Sequence, residues 1–312
     1  MQPFSCPYYG YFNLSSRHMK IHFTVPGFSK CGTTSLCRML GQHRDLFLPE
    51  VRKEPNYFSY RAEKGWDWYE SLFESAKKTQ LCGEGSTPYS SRRYAKVACE
   101  GLLEHNPDMK FIFIARNPIK RLESSFRQIH NSGHIFGVAP QFEIGECLRS
   151  RAKMIADTRY WKLINIYRKR VPDHQIHVLF QEHLKSDPVR ELTRCFEFLG
   201  VEPNVDGIQL HQKLNSSADK LQDTPFYRWL NSRPMRQRIL WKLGLKPGSV
   251  LTKKIGLRVP GQHVISWKAK DRQWVLDQLL EDSLSFLDHY GEPRSLWGLD
   301  DRSLSERQSK AA

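Results

Sequence analysis

Two apolar runs stand out along the chain, "IHFTV" at 21–25 and "KFIFIAR" at 110–116, and both are nearly continuous rather than alternating. Such runs suit strands of a parallel sheet covered on both faces, because a strand with one wet face alternates. "QIHVLFQEHL" (175–184) is a third candidate. Between these runs the apolar positions recur at helical spacing. "TTSLCRMLGQH" follows the first strand, and "GWDWYESLFESA" puts Trp66, Tyr69 and Phe73 on one face. "SSRRYAKVACEGLLEHNP" stops at Asn106-Pro107, and "IADTRYWKLINIYRKRVP" stops at Pro172. "PVRELTRCFEFLGV" reaches Gly200, placed as a C′ glycine, and "DRQWVLDQLLEDSLSFLDHYG" is the last helical pattern. Alternating strands and helices predict an α/β fold, a three-layer, P-loop-like parallel sheet flanked by helices with right-handed crossovers. Ligands in such sheets sit at the carboxyl ends of the strands.

The stretch 201–265 breaks the pattern. It is rich in Pro, Gly and basic residues and weakly periodic, and is read as an irregular basic insertion on a single domain. The expected boundaries are an N-terminal extension at 1–19, the domain at 20–300 and a tail at 301–312.

Composition narrows the picture. The chain has 312 residues, 39% of them hydrophobic, enough for one large core. No apolar run reaches the roughly 18 residues of a membrane span, and "MQPFSCPYYGYFNLSSRHMK" has no continuous apolar core of a secretory signal. The seven cysteines are scattered without a C-x-x-C pair, so reduced thiols and a cytoplasmic setting are expected. Cys6, His18 and His22 echo a zinc finger but lack its second cysteine, and no metal site is assigned.

Charge adds a partner class. The formal net charge is +15, and Phe226 to Lys270 holds eleven Lys or Arg with no Asp or Glu. A basic surface of this kind attracts polyanions, anionic membranes or phosphorylated cofactors, or is simply a solvated face. "FYRWLNSRPMRQRILWKLGL" mixes Trp229, Leu230, Ile239, Trp241 and Leu243 with Arg228, Arg233, Arg236, Arg238 and Lys242. That mixture could lie on an anionic membrane or attract an acidic saccharide, although Pro234 interrupts any single long helix. Nucleic acid is not assigned as a partner, and oligomeric state stays open.

The chemistry lies in the loops. "VPGFSKCGTTSL" (25–36) reads strand, glycine loop, helix, the build of a phosphate-binding loop. A nucleotide kinase has its lysine after the second glycine, whereas Lys30 precedes Gly32 here. Gly27 and Gly32 allow a tight turn, and helix-start N–H groups and hydroxyls around Thr33, Thr34 and Ser35 face an anion. Lys30 would lie alongside that anion. The strand at 110–116 ends on Arg116, where a kinase commonly has the aspartate that holds Mg²⁺. A cation there fits a second, metal-free anion site, with Ser124 eight residues on. In "RKEPNYFSY" (52–60), Glu54 stands beside aromatic residues, as a general base can, or pairs with Lys53. "GEGSTPYS" (83–90) suits a loop lining the same cleft, with Glu84 orienting the first loop or serving structure.

These strings together resemble the PAPS-dependent sulfotransferase family, of the heparan-sulfate and bacterial carbohydrate type. "GFSKCGTTSL" is similar to its 5′-phosphosulfate loop and "ARNPIKRLESSF" to its 3′-phosphate motif, R-[DN]-P-x-x-R-x-x-S. "KEPNYFS" with "GWDWYESLF" is similar to the segment carrying the catalytic glutamate, and "GEGSTPYS" to the E-x-S-x-x-Y-like loop. The resemblance covers roughly 20–200 well. It implies sulfuryl transfer from 3′-phosphoadenosine 5′-phosphosulfate (PAPS) to a hydroxyl or amine, without metal. Lys30 would stabilise the leaving group and Glu54 would act as base. Phe28, Ser29, Lys30, Cys31, Gly32, Thr33, Thr34 and Ser35 would form the 5′ loop, and Arg116 and Ser124 would hold the 3′-phosphate. The acceptor is expected to be a carbohydrate, in keeping with the charge an acidic one, with 131–158 lining its cleft. A lysine that some members carry in the "GEGSTPYS" loop is absent, Gly85 and Ser86 standing there. A histidine base of the aryl-type branch has no counterpart; His130 and His134 match no motif. Tyr160 and Trp161 resemble positions near nucleotide or acceptor, and Lys253, Lys254 or Arg258 would close the cofactor site. The remaining alternatives are a P-loop kinase or NTPase and a basic polyanion- or membrane-binding protein.

Overall fold

The apolar run at 21–25 folds as strand β1 (Phe23–Gly27), buried at every residue. The computed structural model describes residues 19–50, 54–132, 143–210, 221–231, 234–245, 249–260 and 265–299. In chain order the main elements are β1, α1 (Thr33–Leu40), β2 (Leu46–Phe47), α2 (Trp66–Ser71), β3 (Leu81–Glu84), α3 (Ala95–His105), β4 (Lys110–Ala115) and α4 (Pro118–Ser132). There follow α5 (Ile144–Ser150), α6 (Ala152–Ala156), α7 (Tyr160–Arg168), β5 (Ile176–Phe180), α8 (Gln181–Ser186) and α9 (Pro188–Leu199). The remainder are β6 (Leu221–Asp223), α10 (Pro225–Asn231), α11 (Pro234–Lys242), α12 (Val250–Lys254), β7 (Arg258–Pro260) and α13 (Ala269–His289).

The five strands β2-β3-β1-β4-β5 form one sheet with every pairing parallel. The expected α/β sheet is therefore present, with β3 and the two-residue β2 added on one side of β1. Phe111, Ile112, Phe113 and Ile114 are all fully buried, as a strand covered on both faces requires. Gly83 is needed where β3 passes β1, because a Cβ there would stand 2.3 Å from the Phe23 ring. Helix α9 has the predicted ends: the Asp187 side chain accepts from the Arg190 N–H, and Gly200 takes φ 81°.

The described chain divides into two compact units. The first comprises 1–121, 155–212 and 275–312 and holds the sheet; the second comprises 122–154 and 213–274. Among its described residues, the stretch read as an irregular insertion forms α10, α11, α12 and the antiparallel β6–β7 pair. Two of these short helices begin at proline, which suits a helix start and hides the helical pattern in a Pro-rich segment. Within the second unit the Arg149 guanidinium donates to Asp271 Oδ1 at 2.5 Å, and Trp267 Nε1 donates to Glu123 Oε1 at 3.1 Å. No helix among the described residues is long and apolar enough to cross a membrane. The extension before residue 19 and the tail after residue 299 lie outside the described residues.

Candidate active site

β1 delivers the chain to a turn over Phe28–Gly32 and then into α1. Lys30 and Gly32 take positive φ, 69° and 108°. Gly32 is the N-cap of α1 and no side chain caps it, so the helix start keeps its pull on negative charge. Gly27 is fixed by space: a Cβ would stand 2.0 Å from Ser90 Oγ of the "GEGSTPYS" loop.

Of the predicted loop residues, Phe28 and Cys31 are fully buried. The Phe28 ring packs on Tyr160 and Phe113, at 4.5 and 5.4 Å between centroids, and Cys31 Sγ lies 3.4 Å from the Tyr160 hydroxyl. These two side chains anchor the loop and leave only backbone for a ligand. Thr33 is also buried, whereas Ser29, Lys30, Gly32, Thr34 and Ser35 are partly exposed. Burial pushes the Cys31 thiol up to about 11, against the opposing pull of Arg121.

Arg116 follows β4, next to β1 in the sheet, and its Nη1 donates to the Lys30 carbonyl at 3.5 Å. Tyr160 donates its hydroxyl to the Arg116 carbonyl at 2.9 Å. One buried tyrosine thus touches both the first loop and the end of β4. The resemblance sets Tyr160 near the nucleotide or acceptor, and the structure adds that its hydroxyl bridges the first loop and the end of β4. Trp161 packs instead on His289 at 4.9 Å. Arg121, the second arginine of the "ARNPIKR" string, is buried and donates to Thr158 Oγ1 at 2.7 Å, a structural bond.

Helix α8, directly after β5, adds residues that the sequence did not single out. Gln181 approaches Gly32, its Nε2 lying 3.0 Å from where a Cβ would be. Burial and the nearby charge of Arg116 lower the Lys185 ammonium, so a second cation stands near the end of β4. Glu182 accepts the Asn117 N–H at 3.0 Å, fixing the turn after Arg116. Ser124 lies on α4 within the second unit, as do Lys253, Lys254 and Arg258.

On the other side of β1, the chain after β2 brings in Glu54. Thr87 Oγ1 donates to Glu54 Oε1 at 3.2 Å, while Asn56 Nδ2 and Arg61 Nη1 donate to its carbonyl at 3.0 and 3.1 Å. Beneath it lies Glu84, 1% exposed, whose carboxylate accepts from Tyr69, Tyr89 and Ser86. Burial raises the Glu84 carboxyl to about 7, these hydrogen bonds oppose the rise, and the Glu54 charge adds to it. A cavity of about 570 Å³ opens beside α1 and the end of β2, lined by Thr34, Arg38, Gln42, Leu48, Glu50 and Gln209 among others.

His22 of the zinc-finger echo accepts the Cys82 N–H at 3.0 Å, and no group of residues suited to a metal occurs among the described residues. Cys6, His18, Lys53, His134 and part of the expected acceptor segment (133–142) lie outside the described residues.

A family model described as "Sulfotransferase domain" matches residues 20–237. Heparan sulfate glucosamine 3-O-sulfotransferase 3B1 of Mus musculus is 29% identical over 186 residues, 57% of this chain and 45% of that protein. Heparan sulfate glucosamine 3-O-sulfotransferase 6 of Homo sapiens is 29% identical over 188 residues, 57% of this chain and 52% of that protein. The chain spans about half the length of these curated relatives. The solved structure of a sulfotransferase from Alicyclobacillus acidocaldarius covers 63% of this chain and 87% of its own, at 23% identity and a TM-score of 0.54, which shows a shared fold. The kinase and NTPase alternative finds no support among these comparisons.

Proposed function

The chain belongs to the sulfotransferase domain family, and from that premise we propose that it moves a sulfuryl group from PAPS to a hydroxyl or amine of a saccharide. The observation that carries this reading is the cation pair at the mouth of the loop. Lys30 sits at the turn, and Arg116, from the neighbouring strand, reaches its carbonyl. An arginine at the end of β4 suits a phosphate, not a Mg²⁺ ion.

The glycine-turned loop fits a phosphosulfate. No side chain caps the start of α1, Gly32 bears no Cβ to obstruct a ligand, and Thr34 and Ser35 are partly exposed. In this reading Lys30 offsets charge on the leaving phosphate oxygen. Arg116 holds the 3′-phosphate. Glu54 takes the acceptor proton. The cavity lined by Thr34 and Arg38 also takes in Leu48, Pro49 and Glu50 just after β2, which suits a polar acceptor beside the first loop. The names of the curated relatives support a saccharide acceptor of the heparan sulfate class.

Calorimetric titration with adenosine 3′,5′-bisphosphate, without metal, tests the core of this reading. Binding that needs the 3′-phosphate and falls about 10- to 100-fold in Arg116→Ala is expected, the range for losing hydrogen bonds to a charged group. Binding of ATP alone, and only with Mg²⁺, would overturn it.

A second surface belongs to the proposal. Within the second unit Phe226, Trp229, Met235 and Ile239 are 59%, 56%, 76% and 58% exposed, beside a run of cations without an acid. This composition supports peripheral contact with an anionic membrane. Sedimentation with phosphatidylserine vesicles, lost in high salt, is the expected result; no sedimentation at low salt would refute it.

A further inference from the structure

We propose that Glu84 is a positioning residue, whose buried carboxylate holds, through Ser86 and Tyr89, the backbone that carries Glu54. The proposal rests on the reading of Glu54 as the base.

The geometry has a direction. Tyr69 and Tyr89 both donate to Glu84 Oε1 at 2.8 Å, and Ser86 donates to Oε2. Two of these hydroxyls pass the contact on. Ser86 Oγ accepts the Asn56 N–H at 2.9 Å, and the Tyr89 hydroxyl accepts the Phe58 N–H at 3.0 Å. A backbone N–H can only donate, so each hydroxyl accepts on that side and directs its own proton elsewhere. Both protons go to Glu84. Position 84 therefore has to accept at both of its terminal atoms, which a carboxyl group does and an amide, with an NH₂ in place of one oxygen, does not.

The segment needs this hold. Asn56 takes φ 60°, a left-handed conformation uncommon outside glycine. Thr87, from the same loop as Ser86 and Tyr89, donates to Glu54 itself at 3.2 Å. The carboxylate of Glu84 thus stands two hydrogen bonds from the backbone on either side of Tyr57, and Asn56 in turn holds the Glu54 carbonyl. The titratable groups facing Glu84 are Tyr69 of α2, Tyr89 of its own loop, Glu54, and Tyr167 of α7, whose hydroxyl bonds the Tyr89 carbonyl at 2.7 Å.

Tyr69 supplies an internal control. Its hydroxyl gives Glu84 the same 2.8 Å bond as Tyr89 but makes no bond to the 56–58 backbone. Both tyrosines are fully buried, and phenylalanine keeps either ring, including the 4.7 Å stack of Tyr69 on Tyr57. A merely structural network predicts equal consequences for Tyr69→Phe and Tyr89→Phe. A positioning network predicts a split.

The test uses the full chain and three variants, Tyr89→Phe, Tyr69→Phe and Glu84→Gln. Amide exchange of Asn56 and Phe58 reads the hold directly, without needing turnover. Bisphosphate titration and transfer from PAPS to heparan sulfate read the chemistry. Expected is faster exchange at Phe58 in Tyr89→Phe, with kcat down about 10- to 100-fold, the scale of a misplacement near 1 Å. Nucleotide Kd stays within about twofold, and Tyr69→Phe keeps kcat within the same margin. Glu84→Gln, where it folds, speeds exchange at both Asn56 and Phe58, since Ser86 and Tyr89 both lose their acceptor; if it does not fold, the tyrosine pair still decides. Equal kcat in the two tyrosine variants, or unaltered exchange in Tyr89→Phe, overturns the proposal. An unaltered protein that binds no bisphosphate fails the sulfotransferase reading itself, and this inference falls with it.

Discussion

Arg116 donates to the carbonyl of Lys30 across the gap between the ends of β4 and β1, at 3.5 Å. Two cations that ordinary repulsion would separate are tied through backbone, and Tyr160 fixes the arginine's own carbonyl at 2.9 Å. A site built this way expects an anion between its charged heads.

Lys30→Ala tests the leaving-group role. kcat falls about 10²- to 10³-fold, the scale for one preorganised charge-stabilising group. Bisphosphate affinity falls less, since the loop backbone remains. Steady-state kinetics beside calorimetry separates the two.

Glu54→Gln removes the proposed proton acceptor while keeping its shape and its bond from Thr87. The rate falls about 10²- to 10⁴-fold, the usual worth of a positioned base, and nucleotide Kd is unchanged. Near-normal turnover would remove Glu54 from the mechanism.

Gly27→Ala introduces a Cβ 2.0 Å from Ser90 Oγ and 2.8 Å from Ser90 Cβ. Loss of stability of about 1–3 kcal/mol follows, as for other overpacked sites. Adding Ser90→Ala does not fully restore it, because the Cβ clash persists. Urea unfolding of the single and double variants checks this.

Glu84 and His177 impose opposite pH slopes on stability. The native carboxyl of Glu84 rises from 4.5 to about 7, so the folded state holds its proton more tightly than the unfolded chain. Its contribution is complete below 4.5 and is lost as pH rises through about 7. His177 is lowered from 6.5 to about 4 by burial and by Arg194, so its contribution is complete above 6.5 and lost as pH falls through about 4. Denaturation midpoints between these limits become less downward-sloping with pH in Glu84→Gln and less upward-sloping in His177→Phe.

The six described cysteines are buried, and burial pushes Cys31 and Cys82 up to about 11 and Cys99 up to about 12. Their peptides resist iodoacetamide at neutral pH and react in denaturant, a contrast read by mass spectrometry.

Much of the candidate site is proposed from short strings that carry its chemistry. The loop 27–35, Arg116 at the end of an apolar strand and Glu54 beside Pro55 are local patterns whose spacing carries their meaning. β2 was not legible: two residues have no periodicity to read. The helices of the basic stretch were hidden by their prolines. The break between α6 and α7 was hidden within one continuous helical pattern.

By itself the sequence determined the class of fold, the order of strands and helices around β1 and β4, and the residue types at the strand ends, since burial on two faces and loop chemistry act over a few neighbours. Only the tertiary structure decided which of those residues meet. It set β4 beside β1, so that Arg116 reaches Lys30. It brought "GEGSTPYS" under the Glu54 segment, making Glu84 the acceptor for three hydroxyls drawn from α2 and its own loop. The hydrogen bonds there join residues up to 33 positions apart. Such contacts depend on strand order and on where buried donors find acceptors, and no local pattern encodes either.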